Sequence, residues 1–290
     1  MLVLPDGRRL AFHGYGDPDG AACVYLPGTP ASGLAGAEYD EAAAVARVRL
    51  ICVDKPGYGG SDRHQGRALR DVTADVAALA DHLGLVRFAV IGESGGGPHA
   101  LAVAHDLPDR LSVTVVVAGM GPATEPWVLD GMKPANRRLL AVGRRAPWAL
   151  RLPMELTRRA LLDPARAARL TARQIESAGP ADRSALQDMA AQLDLTAPAR
   201  DALRVSSHGA AQELALLARP WGFALDAVRC PVELWHGTED VNVPPAVATQ
   251  LAARLPHATL HLVPDAGHAV GWSRRTEILA AVARAAKVAA

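Results

Sequence analysis

The sequence predicts an α/β fold: a mostly parallel central sheet with helices on both faces and a helical segment inserted into it. Three observations carry that expectation. Short apolar runs, each the length of a buried strand, recur in the first and last parts of the chain. Helical patterns lie between them, and such alternation is what a parallel sheet covered on both faces requires. From about Pro122 to Trp221 the strand signal disappears, and alanine, leucine and arginine dominate.

Taken in order, Leu2–Leu4 and Arg9–Gly14 are expected to form a hairpin around Pro5-Asp6-Gly7. Strands follow at Ala22–Leu26, Leu50–Val53, Phe88–Ile91, Ser112–Ala118, Val232–His236 and Thr259–Val263. The pattern Val72–Leu83 reads as a helix ended by Gly84. In the middle stretch Pro134, Pro147, Pro153, Pro164, Pro180 and Pro198 are read as breaks between short helices. The division that follows is a core of residues 1–121 and 223–290 with a helical cap at 122–222.

The chemistry concentrates in Phe88-Ala-Val-Ile-Gly-Glu-Ser94-Gly-Gly-Gly-Pro-His99, where an apolar strand runs into G-x-S-x-G and a helix begins at about Pro98. A serine on so tight a strand-to-helix turn is held in a strained conformation with its hydroxyl projecting. Residues at minus two and plus two must be small because strand and helix nearly touch there. The amides of the next helix point toward the serine, where negative charge develops in acyl transfer. A nucleophilic serine also needs a base and an orienting acid. Val232–His236 ends in Gly237-Thr-Glu-Asp240, and Thr259–Val263 ends in Pro264-Asp-Ala-Gly-His268. Both loops lie past a strand's C-terminal end, the edge where open parallel sheets bind ligands.

The order Ser94, Asp240, His268 resembles that of the α/β-hydrolase superfamily, and the likeness runs through nearly the whole chain. Asp54-Lys-Pro-Gly-Tyr-Gly-Gly-Ser61 is similar to the family's D-x-x-G-x-G-x-S turn. Glu239 and Asp265 compete with Asp240 for the acid's place, and the family's G-x-x-D pattern selects Asp240. Tyr25-Leu-Pro-Gly28-Thr29-Pro30 resembles the loop that usually reads His-Gly, with proline in place of the histidine. The resemblance implies an oxyanion hole built from the Thr29 and Gly95 backbone N–H groups. There is no His-Gly-Gly-Gly run, unlike the hormone-sensitive-lipase branch. All four tyrosines precede Ser94, and a serine stands where epoxide hydrolases and haloalkane dehalogenases carry aspartate. Gly95 stands where proline iminopeptidases often have tryptophan.

Asp54 and Asp62 are expected to fix their turn, Glu93 to support the nucleophile, and His99 and His236 to be packing residues. Trp127, Trp148 and Phe223 are candidate pocket walls, competing with a role in packing the cap onto the core. The chain of 290 residues, 50% hydrophobic, is long enough for one large core plus an insertion. A formal net charge of +1 argues against nucleic acid as a partner. Cys23, Cys52 and Cys230 sit in apolar surroundings and read as reduced, buried thiols. No run reaches membrane-spanning length, so a soluble cytoplasmic protein with no membrane partner is expected. Between Lys133 and Arg173, however, eleven basic residues face two acids, Glu155 and Asp163. They are either solvated helix faces or a means of attracting an anionic thioester or an acidic carrier protein. The expected activity is serine hydrolysis of a carboxylic ester, lactone or thioester, without cofactor or metal. Acyl transfer, C–C bond hydrolysis, aminopeptidase activity and a non-catalytic ligand receptor are the alternatives.

Overall fold

The computed structural model describes residues 1–288. Leu2–Val3 (β1) and Arg9–Leu10 (β2) pair as a small antiparallel ribbon. The expected second hairpin strand is divided: Phe12–Gly16 (β3) leaves the ribbon and pairs antiparallel with Val48–Val53 (β5) on the main sheet. The remaining strands are Ala21–Leu26 (β4), Phe88–Glu93 (β6), Leu111–Val117 (β7), Val232–Gly237 (β8) and Ala258–Val263 (β9). Their order across the sheet is β3-β5-β4-β6-β7-β8-β9, with every neighbour after β3 parallel.

Strand β4 shows why these runs are strands. Successive side chains point to opposite faces, so Val24 and Leu26 join the core under one helical layer while Cys23 and Tyr25 join the other. All four are buried, as a sheet covered on both sides demands. Asp40–Ala46 (α1) and Arg275–Val288 (α12) cover the second face; Val72–His82 (α2), Gly97–Asp106 (α3) and Pro245–Ala252 (α11) cover the first. All three cysteines are buried and unpaired.

Between β7 and β8 the described chain has no strand. It forms Pro126–Leu129 (α4), Pro134–Arg145 (α5), Arg151–Leu162 (α6), Pro164–Glu176 (α7), Pro180–Gln192 (α8), Ala197–Ala202 (α9) and His208–Leu217 (α10). Prolines 134, 164 and 180 open helices, where a missing N–H costs nothing. Pro153 is not a break: it sits in the first turn of α6, where proline is tolerated. This insertion leaves from the C-terminal edge of the sheet, the edge that carries the turn after β6 and the loops after β8 and β9. Among the described residues no helix is long and apolar enough to cross a membrane.

Candidate active site

Ser94 follows β6 directly, with φ +50°, the left-handed region that a side chain adopts only under constraint. Gly96 explains how the turn closes. A Cβ there would lie 2.0 Å from the Leu26 carbonyl oxygen, so the helix can approach β4 only without a side chain. The loops after β8 and β9 bring the other two residues in. His268 Nε2 lies 3.1 Å from Ser94 Oγ, and Nδ1 lies 2.7 Å from Asp240 Oδ2. With Nδ1 protonated, the ring donates to Asp240 and Nε2 accepts from the serine hydroxyl.

Asp240 is itself held. Its Oδ1 accepts from the Asn242 and Val243 amides at 2.8 and 3.0 Å, and His236 Nε2 stands 3.3 Å from Oδ2. Burial opposes ionisation of this carboxyl, but the His268 and His236 neighbours outweigh it and hold the pKa far below the usual range. For His268 burial disfavours the cation, and the Asp240 charge and hydrogen bond more than offset it, raising the pKa above 6.5.

Thr29 packs against Gly95: a Cβ on Gly95 would stand 2.6 Å from Thr29 Oγ1. Both residues line a pocket of about 280 Å³ with Ser94 and His268. Its far wall is apolar, formed by Met132, Leu139, Leu140 and Met154 of the insertion with Leu214 and Leu217 of α10. Trp127 and Trp148, expected as walls, are not there. Trp148 is 75% exposed on the outside of the insertion, and Trp127 stacks under Arg254 in a separate groove that it shares with Phe223. Aromatic residues in an amphipathic helical stretch do not reveal from sequence which face they occupy.

Other expected supporting residues have plain structural work. Glu93 Oε2 accepts from the Tyr25 and Tyr39 hydroxyls at 2.7 and 3.1 Å. Asp54 accepts from the Gly33 and Gly60 amides, and Asp62 pairs with Arg9, so both fix the chain around the turn. His13, Asp54 and Asp201 bring donor atoms within 4.8 Å of one another, a spacing that could hold a cation. Both Asp54 oxygens are already committed to backbone N–H groups.

Two features of the site were not legible from the sequence. Behind the Gly28–Thr29 loop lies a buried ionic cluster. Lys55 Nζ donates to Glu213 Oε1 at 2.7 Å, to Thr29 Oγ1 at 3.1 Å and to the Gly28 carbonyl at 3.2 Å. Arg67 pairs with the other Glu213 oxygen, and His99 Nε2 lies 2.9 Å from Oε1. Burial opposes the Glu213 charge, yet these neighbours hold its pKa well below the ordinary value; burial lowers those of Lys55 and His99. The signal available was a lone acid in the apolar run Ala210-Ala-Gln-Glu-Leu-Ala-Leu-Leu217. The second feature is Asp182 of α8, whose carboxylate accepts from the His268 and Ala269 amides at 2.9 and 2.8 Å. It carries no sequence signal at all.

A family model for the alpha/beta hydrolase fold matches residues 23–274. The chain is 30% identical over 268 residues to a Caulobacter protein that bears the name carbamate hydrolase RutD, covering 91% of this chain and 89% of that one. It is 33% identical over 230 residues to a pimeloyl-[acyl-carrier protein] methyl ester esterase of Aromatoleum aromaticum, covering 77% and 80%. An esterase structure from Exiguobacterium antarcticum superposes with a TM-score of 0.71 at 19% identity, over 98% of both chains, a likeness of fold. With a match across most of its length, the chain belongs to the α/β-hydrolase family of enzymes.

Proposed function

We propose that this enzyme is a serine hydrolase that cleaves a carboxylic ester or thioester through an acyl-enzyme on Ser94. The observation that carries the proposal is the continuous path from Ser94 Oγ through the His268 ring to a buried, doubly anchored Asp240. In this reading His268 Nε2 takes the hydroxyl proton as Oγ attacks the carbonyl carbon, and Asp240 stabilises the imidazolium that forms. The carbonyl π pair moves to oxygen, which the Thr29 and Gly95 N–H groups would hold. Collapse expels the alcohol or thiol, protonated by His268. Water, deprotonated by the same ring, then releases the acid and restores Ser94.

The pocket argues for the acyl half of the substrate. The insertion between β7 and β8 lines it with six apolar side chains, and apart from His268 no lining residue is ionisable, so an uncharged acyl group is favoured over a charged one. The helices that supply those side chains act in this reading as a cap over the sheet edge. The relatives support hydrolysis in general and an ester bond in one instance. An activated phosphonate should label Ser94 alone, and a series of p-nitrophenyl esters of increasing acyl length should be turned over. Labelling elsewhere, or full turnover by Ser94→Ala, would refute the mechanism. Product analysis with an alcohol acceptor distinguishes hydrolysis from transfer.

A further inference from the structure

Helix α6 is apolar on two faces. Its inner face buries Met154 and Leu161, and Met154 reaches the Ser94 pocket. Its outer face does the opposite. Trp148 in the turn of helix Pro147–Leu150 is 75% exposed, and Leu152 and Leu156 of α6 are 68% and 57% exposed. The turn of helix runs straight into α6, with Arg151 at φ −60° and ψ −42°. Leu152 and Leu156, four residues apart on α6, share one face, and the exposed Trp148 stands at the N-terminal end of that stripe. Large apolar side chains exposed together are the kind of surface feature that marks an interaction site.

The charges around the stripe say what covers it. Arg151 and Arg159 of α6 are exposed next to these side chains, and Arg144 and Arg145 are exposed at the end of α5, just before the turn that carries Trp148. Arg159 meets Glu155, while Arg144, Arg145 and Arg151 form no ion pair with any described residue. We propose that this face docks on an anionic lipid surface, with Trp148, Leu152 and Leu156 entering the headgroup–acyl boundary and the arginines meeting lipid phosphates. Aromatic and leucine side chains on one side with arginines flanking them is the composition of a helix lying in a membrane interface. A second copy of the chain fits less well, because a two-fold contact repeats one patch and would set these arginines against each other. A folded acidic partner fits less well too, since it would have to offer pockets matched to these side chains, whereas a lipid interface accepts them without a matched surface. The expectation of no membrane partner rests on the lack of a spanning run; a contact lying on the surface needs none.

The test reads binding and is independent of turnover. The full chain is sedimented with sucrose-loaded vesicles of phosphatidylcholine alone and of phosphatidylcholine with phosphatidylglycerol. Binding should require the anionic lipid and weaken as salt rises through physiological strength. The triple variant Trp148→Ser, Leu152→Ser, Leu156→Ser should lose binding by about tenfold or more while keeping wild-type Tm and turnover of a soluble ester. Arg144→Gln with Arg145→Gln should reduce binding and its salt dependence. No binding of the wild type to anionic vesicles, or undiminished binding by the triple variant, overturns the proposal. So does a wild-type dimer that the triple variant dissociates, which would assign the stripe to a second copy. Binding of an acidic carrier protein that is lost in the triple variant, with no vesicle binding, would assign it to a protein.

Discussion

Replacing Glu213 with leucine is the perturbation whose size follows most directly from the geometry. The carboxylate lies in a fully buried position and accepts from Lys55 and Arg67, both also fully buried, with His99 against it. Removing it strands two cations away from water. Breaking a buried ion pair by deleting one partner costs about 3–5 kcal/mol. At about 2–4 °C per kcal/mol for a large domain, Tm should fall by roughly 6–20 °C. The combination Lys55→Met, Arg67→Met, Glu213→Leu should recover most of that loss, because a buried ionic group exchanged whole for apolar side chains is often neutral or stabilising. Scanning calorimetry and urea melts measure both. The pH dependence has a definite sign: a carboxyl whose folded pKa is depressed contributes its stability fully above the unfolded value of about 4.3 and loses it as pH falls toward the folded one. The triple variant should lack this component of acid sensitivity. Lys55 also holds Thr29 Oγ1 and the Gly28 carbonyl, so the restored triple should still turn over slowly. About 10²–10³ in kcat is the ceiling, the cost of removing one oxyanion donor outright in a serine protease. A single variant within about 1 kcal/mol of wild type, or a triple no more stable than the single, would refute the reasoning.

Asp240→Asn should leave the fold intact and lower kcat by about 10⁴, the loss known for the equivalent change in a serine protease triad, whereas Asp265→Asn should be silent. Because the proposed base must be neutral and His268 has a raised pKa, kcat/KM should fall on acidification through a midpoint above 6.5, read from a pH–rate profile. Asp182→Ala removes two charge-assisted acceptors from the loop that carries His268; stability should fall by about 1.5–3 kcal/mol in denaturant melts, with kcat reduced more than KM changes. Gly96→Ala, which would drive a Cβ into the Leu26 carbonyl, should abolish soluble folded protein, while Gly14→Ala, with open space around it, should raise stability by about 0.4–1 kcal/mol.

The sheet was legible because its strands are buried on both faces and therefore read as continuous apolar runs: β4 and β7 differ from expectation only at their ends. The edge was less legible. Phe12–Gly16 has one half-buried face and follows a two-residue ribbon, so local pattern could not show that it changes partner at Ala11. The approach of Ser94, Asp240 and His268 to one another was legible because each lies within five residues of a strand's C-terminal end, and a short loop there leaves little freedom in where its residue goes. Trp148 was not, since the helical period shows that a face is apolar without showing which neighbour it meets.

Asp182 and Glu213 share a property that explains why neither could be read. Each acts on a partner far along the chain, 86 residues to His268 and 158 to Lys55, and no local pattern encodes such a pairing. They also touch opposite halves of the site. Asp182 grips the backbone beside His268, and Glu213 anchors the cluster beneath Thr29. Both come from the insertion, one from α8 and one from α10. The insertion is therefore tied by buried carboxylates to the two loops that, in the proposed mechanism, must keep their spacing during proton transfer and oxyanion formation. A displacement of α8 or α10 would shift those loops as well as uncover the pocket. A second cleft of about 220 Å³, lined by Pro30, Leu195, Pro198 and Ala199, also reaches Ser94 and His268, so substrate entry needs no displacement of α8 or α10. Helix α6 turns Met154 into the Ser94 pocket and Leu152 and Leu156 outward, so the surface proposed to meet lipid lies one helix thickness from the candidate nucleophile.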